Sequence, residues 1–105
     1  MPRSKDYREC LIERLQDPKK ALAYLNAALE DCKDGSQESQ QVLLLAFKTV
    51  AQAQGGMTEL SKKSSLSRES LYKTLSTRGN PKLTTLTSLA NAMGFELKLT
   101  LQTKI

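Results

Sequence analysis

Apolar residues recur at a spacing of four at Tyr7, Leu11 and Leu15, with Ile12 alongside, which predicts a short N-terminal helix. Asp17-Pro18 interrupts it and opens a second helix, because Asp is a good N-cap and Pro is favoured at the first helical position. The predicted inner face of that helix is Leu22, Leu25, Leu29 and Cys32, with Ala21 and Ala28 beside it, and Gly35 closes it. Ser36 can cap the next helix, with Glu38 well placed in its first turn. The run Val42 to Phe47 is too apolar for a surface helix; with Val50, Ala51 and Ala53 it predicts a central buried helix ending at Gly55-Gly56.

Two short helical patterns joined by a tight turn follow. The first spans about Met57 to Ser64 with Leu60 inward; the second is capped by Ser67 and turns Leu71 and Leu75 inward. Leu66 sits between them as an apolar plug. The stretch from Ser76 to Pro81 is a loop by composition, and Leu83, Leu86, Leu89, Ala90 and Met93 make one more amphipathic helix ending at Gly94. The period then changes from helical to two. Phe95, Leu97, Leu99 and Leu101 alternate with Glu96, Lys98, Thr100 and Gln102, the pattern of a half-buried strand. A lone strand is not stable in water, so this one is expected to pair with its copy in a homodimer or with a strand of another protein; folding back on the N-terminal segment is the intramolecular alternative.

Composition removes several kinds of chemistry. The chain has no His, the commonest metal ligand and the usual general base near neutral pH, so no Ser-His-Asp triad, Cys-His dyad or His-rich metal site can be built within it. Cys10 and Cys32 are too few for a zinc site and far from Cys-x-x-Cys spacing; each reads as a small buried apolar residue on a helix, with a disulfide as the lesser alternative. No cofactor, metal or enzymatic activity is expected. No apolar run is long enough to span a membrane, and the opening Met1-Pro2-Arg3-Ser4-Lys5-Asp6 lacks a signal peptide's apolar region, so a cytoplasmic location is expected, with no membrane partner.

The formal net charge of +5 is unevenly divided. Residues 1–35 and 36–56 are each neutral, residues 57–84 carry +4 and residues 85–105 carry +1. The basic stretch holds Lys62, Lys63, Arg68, Lys73, Arg78 and Lys82 against Glu59 and Glu69. A solvated face is the common reading of such a run, but here it coincides with the paired short helices. Helix, turn and helix are the parts of a helix-turn-helix, whose second helix enters the DNA major groove. With Leu71 and Leu75 inward, a step of about 100 degrees per residue places Glu69 and Lys73 outward, Arg68 in the first turn and Tyr72 on the flank. Glu69 and Lys73 also stand at i and i+4 and could form only a surface ion pair, and Tyr72 could be partly core. Turn spacing, inward leucines, cap and local charge together favour DNA binding over an inert bundle.

The stretch Gly55-Gly56-Met57-Thr58-Glu59-Leu60-Ser61, followed by Leu66-Ser67-Arg68-Glu69-Ser70-Leu71-Tyr72-Lys73-Thr74-Leu75 and Gly79-Asn80-Pro81-Lys82-Leu83, closely resembles the addiction-module antidote proteins. These are bacterial HigA-like antitoxins built on the lambda-repressor type of helix-turn-helix, the XRE family. The likeness reaches back through Tyr24-Leu25-Asn26-Ala27-Ala28-Leu29-Glu30-Asp31 and covers about residues 17–100. The elements and the resemblance imply an all-α fold of five to six helices. Residues 36–95 would be a lambda-repressor-like helix-turn-helix domain, residues 1–35 an N-terminal helical extension, and residues 96–105 a C-terminal β-strand suited to dimerisation.

The function implied by the resemblance is that of a type II toxin–antitoxin antitoxin: it binds and neutralises a cognate RelE/ParE-like toxin and, as a homodimer on double-stranded operator DNA, represses its own operon. Carried over by position, the recognition helix is Ser67 to Leu75, with Arg68, Glu69 and Lys73 reading bases and Ser70 and Tyr72 as backbone or flanking contacts. Arg78, Asn80 and Lys82 match the place where such domains hold phosphate. Three positions depart from the family's habit: Met57 stands where Gln is common, Ser61 where Ala is, and Ser65 where Gly is. A turn requiring positive φ at Ser65 would cost about 1 kcal/mol or more. A stand-alone phage-type repressor shares every DNA-binding feature and lacks only the toxin; a pure protein-interaction module is a third possibility. The N-terminal helices over residues 5–34 are the nominated toxin or dimer surface, or a cap on the core.

Overall fold

The computed structural model describes residues 4–76 and 80–99 of the chain. Among these residues there are six α-helices and no strand: α1 (Ser4–Arg14), α2 (Pro18–Asp31), α3 (Gln37–Ala53), α4 (Gly56–Lys63), α5 (Arg68–Thr74) and α6 (Leu83–Ala92), with a single 3-10 turn at Cys32–Asp34. The caps fall where local chemistry puts them. The Asp17 side chain accepts from the Lys19 N–H at 3.0 Å with Pro18 opening α2, and the Ser36 hydroxyl accepts from the Ser39 N–H at 3.1 Å at the head of α3.

The helix α3 is the hub, packing against α1, α2 and α4, while α4 in turn contacts α5 and α6. The core is one continuous cluster in which Leu44, Phe47 and Val50 of α3, Leu71 of α5 and Leu89 of α6 are fully buried. Ala21, Leu25 and Ala28 of α2 belong to the same cluster. One buried polar group crosses it. The Thr49 hydroxyl donates to the Leu45 carbonyl at 2.9 Å and accepts from Arg8 Nη2 at 3.5 Å, and the same nitrogen donates to Gln52 Oε1 at 2.6 Å. A buried hydroxyl is tolerated when it is satisfied in this way, and the contact ties α1 to α3.

Several apolar residues expected inward face solvent instead, Cys10 of α1 and Leu99 after α6 among them. On α2 the buried line is Ala21-Leu25-Ala28, which leaves Leu22 about 90 degrees away and exposed, with Leu29 and Cys32 half-buried. Alanines at the centre of that face let α2 approach α3 closely. On α3 the run Val42 to Phe47 is not buried throughout. Leu43, Leu44, Ala46 and Phe47 are inside, but Leu45 lies on the far side of the helix, and Val42, in line with the buried Ala46, Thr49 and Ala53, stands a turn before them; both are half exposed. Leu83 opens α6 a turn before the contact with the core begins at Leu86, and it is 73% exposed.

The expected C-terminal β-strand is not seen. Helix α6 ends in a Schellman turn: Gly94, at φ 93°, donates to the Asn91 carbonyl at 3.0 Å, and the Phe95 N–H donates to the Ala90 carbonyl at 2.8 Å. The chain leaves this turn as an irregular segment, residues 95–99, whose backbone meets no neighbouring strand among the described residues. The alternation is expressed only in part: Phe95 and Leu97 pack on the core and Glu96 and Lys98 are exposed, but Leu99, expected on the apolar side, is fully exposed. The remainder of the expected strand, residues 100–105, lies outside the described residues.

Candidate nucleic-acid interface

Helices α4 and α5 are joined by Ser64, Ser65, Leu66 and Ser67. Met57 and Leu60 anchor α4 in the core, Leu71 and Leu75 anchor α5, and Leu66 is half-buried between them against the same cluster. The approach to α4 depends on Gly55, at φ 115°, where an added Cβ would stand 2.7 Å from Glu59 Cγ. Both the conformation and the space there require glycine.

The connection carries no strain at Ser65, since no non-glycine residue among those described has positive φ. Ser64 Oγ accepts from the Leu66 N–H at 3.3 Å, and Ser61 Oγ donates to the Thr58 carbonyl at 3.0 Å. At the head of α5 the Ser67 hydroxyl accepts from the Ser70 N–H at 3.1 Å and donates to Ser70 Oγ at 3.0 Å. The two hydroxyls are thus engaged in fixing the start of the helix.

With Leu71 and Leu75 locked inward, Arg68, Glu69, Ser70 and Lys73 are exposed and Tyr72 is 50% exposed on the flank. Glu69 and Lys73 do not form the i, i+4 ion pair their spacing permits, and neither they nor Arg68 have an ionic partner among the described residues. Lys62 does have one, Glu59 at 3.7 Å, on the exposed side of α4. Asn80 and Lys82, also exposed, lie on the connection into α6, where Lys82 is the N-cap residue. Asn80 is tied to the first turns of α3, its Oδ1 accepting from Gln40 Nε2 at 3.4 Å. Arg78 lies outside the described residues. The structure therefore brings Ser67, Arg68, Glu69, Ser70, Tyr72 and Lys73 together on one helix and sets Asn80 and Lys82 on a separate connection.

Among the described residues, the two perturbed titrating groups lie elsewhere, at the turn between α2 and α3. Hydrogen bonds from the Ser36 N–H at 2.9 Å and the Ser39 hydroxyl at 2.8 Å hold the Asp34 carboxyl below its ordinary value. Partial burial, then the neighbouring Asp34 and Asp31 carboxylates, push the Cys32 thiol up, and its Sγ donates to the Ser39 carbonyl at 3.1 Å. The exposed apolar residues Leu22, Val42, Leu45 and Leu83 were not singled out as surface residues by their spacing, because a helical period alone does not tell which side of a helix a neighbour will cover.

Among the described residues no helix is long and apolar enough to cross a membrane. These features define a small all-helical protein with one core and an exposed, charged helix face held by a capped, leucine-anchored α5. A family model described as probable addiction module antidote protein matches residues 9–101, all but the ends of the chain, and the chain belongs to that family. The family description carries an antitoxin role in a toxin–antitoxin module and with it a toxin as partner. No curated protein and no solved structure matches the chain.

Proposed function

We propose that this antidote also represses its own operon, with α4 and α5 acting as a HigA-like, XRE-type helix-turn-helix on double-stranded operator DNA. The observation that carries this reading is the outward face of α5, where Arg68, Glu69 and Lys73 stand exposed without ionic partners on a helix fixed from below by Leu71 and Leu75. Charges left unpaired in the free protein are available to a ligand. Arg68 and Lys73 suit the O6 and N7 acceptors of guanine, and Glu69 suits the exocyclic amine of cytosine. Tyr72, Asn80, Lys82 and Arg78 are assigned flanking and phosphate contacts, and Ser67 and Ser70 position the helix.

In this reading two copies place two α5 helices in successive major grooves of a palindromic operator, and phosphate contacts give the affinity its salt dependence. The protein acts in the cytoplasm by binding and not by catalysis, and its toxin is a RelE/ParE-like protein held through the α1 and α2 region. Membership of the antidote family favours this over a stand-alone repressor. The test is operator binding by fluorescence anisotropy on the promoter fragment of its own gene across a salt series, with Arg68→Ala and Lys73→Ala beside the wild type. Weaker binding and altered sequence preference in both variants are expected. Unchanged affinity and preference would refute the assignment of the reading face. For the toxin, co-purification with the product of the adjacent gene is expected for the full chain.

A further inference from the structure

The connection that carries Asn80 and Lys82 is seated at three successive residues. Gln40, half-buried near the head of α3 and 40 positions upstream, donates from Nε2 to Asn80 Oδ1 at 3.4 Å. Pro81, also half-buried, walls a small pocket against Leu43 and Leu44 of α3 and Leu86 of α6. The Lys82 carbonyl accepts from the Leu86 N–H at 3.1 Å and so belongs to the first turn of α6. A side-chain amide has one end that accepts and one that donates. Gln40 engages the accepting end of Asn80, and the Asn80 Nδ2 makes no hydrogen bond among the described residues, although the residue is exposed. Phosphate oxygens only accept, so the donating end is the one a phosphate can use.

We propose that Gln40 is a positioning residue for DNA, acting through Asn80. By occupying Oδ1 it fixes which end of the Asn80 amide faces the backbone phosphate, while Pro81 and the first turn of α6 hold Lys82 at a constant distance from it. Gln40 itself contacts no base, and the effect carries no sequence information, because phosphate contacts position the protein and base contacts specify. Without the Gln40 donor the Asn80 amide rotates and presents both ends, one attractive to a phosphate and one repulsive. The proposal rests on the operator-binding reading and adds to it a residue outside α4, α5 and the connection into α6.

The test is anisotropy titration of the full chain on the promoter fragment of its own gene and on a scrambled duplex of the same length. Gln40→Ala is expected to weaken binding to both duplexes about three- to tenfold, leaving their ratio unchanged. The salt slope should also stay unchanged, because no charge is lost. Gln40→Glu keeps the shape and replaces the donor by an acceptor, so the Asn80 amide turns its donating end inward and its oxygen toward the phosphate. Its affinity should fall below that of Gln41→Glu, which adds the same charge at the exposed neighbouring position. In an Asn80→Ala background Gln40→Ala should cost nothing further, and Gln40→Glu only what Gln41→Glu costs. Thermal melting of every variant should stay within a few degrees of the wild type. A Gln40→Ala effect that persists without Asn80, a Gln40→Glu protein that binds like Gln41→Glu, a changed preference between the duplexes, or a loss of binding that follows a fall in melting midpoint would each overturn the proposal. Arg68→Ala and Lys73→Ala proteins that bind like the wild type refute the reading face and leave the Gln40 comparisons standing; a wild type that binds neither duplex overturns both.

Discussion

Leu71 and Lys73 sit two residues apart on α5 with opposite surroundings, and replacing each by alanine should separate stability from recognition. Leu71 is fully buried. Truncating a buried leucine to alanine costs about 2–5 kcal/mol, from lost transfer free energy and the cavity left behind. A chain of this size has total stability on the order of 5–15 kcal/mol, so about 3 kcal/mol is a large share of it. The melting midpoint should fall by roughly 10–20 °C. Lys73 is exposed and makes no ion pair among the described residues, so its removal should change stability by no more than about 0.5 kcal/mol. On the operator the order reverses. If each of two Lys73 side chains supplies about 1 kcal/mol or more, their loss weakens binding about 30-fold or more. Differential scanning calorimetry and anisotropy titration, run below the melting onset of Leu71→Ala, read the two effects on the same samples. A Lys73→Ala protein that melts like Leu71→Ala, or that binds operator like the wild type, refutes the division of α5 into a structural and a reading face.

Other substitutions probe the supports of that face. Gly55→Ala should destabilise by about 1–2 kcal/mol or more, since it adds a left-handed penalty to a contact 2.7 Å from Glu59 Cγ; chemical denaturation measures it. Arg8→Ala removes the donor to Thr49 and Gln52 and should speed hydrogen exchange in α1 before that in α3. The lowered Asp34 carboxyl makes a contribution to stability that is complete above its ordinary value of 3.8 and is lost as pH falls through the lower folded-state value. Urea titrations between pH 2 and about 6 should therefore show a constant stability gap between the wild type and Asp34→Asn above that value and a shrinking one below it.

Signals that act within a few residues were legible in the sequence. Asp17-Pro18, Ser36 and Ser67 cap helices because an N-cap is made by one side chain and an N–H two or three positions on, and each forms as its residue type dictates. The inward leucines of α4 and α5 were legible for a related reason: on helices this short only one face can reach a core, so Leu60, Leu71 and Leu75 had nowhere else to point. What was not legible depends on partners distant in sequence. Leu22 outranks Ala21 in hydrophobicity, yet Ala21 is buried, because the closeness of α2 to α3 and not apolarity alone selects the residues at their contact.

The tail combines both cases. Its period of two set Phe95 and Leu97 against the core and Glu96 outward, while Leu99, expected on the same side as Leu97, faces solvent. A ladder needs a second strand, and the helices that occupy the rest of the described chain cannot provide one.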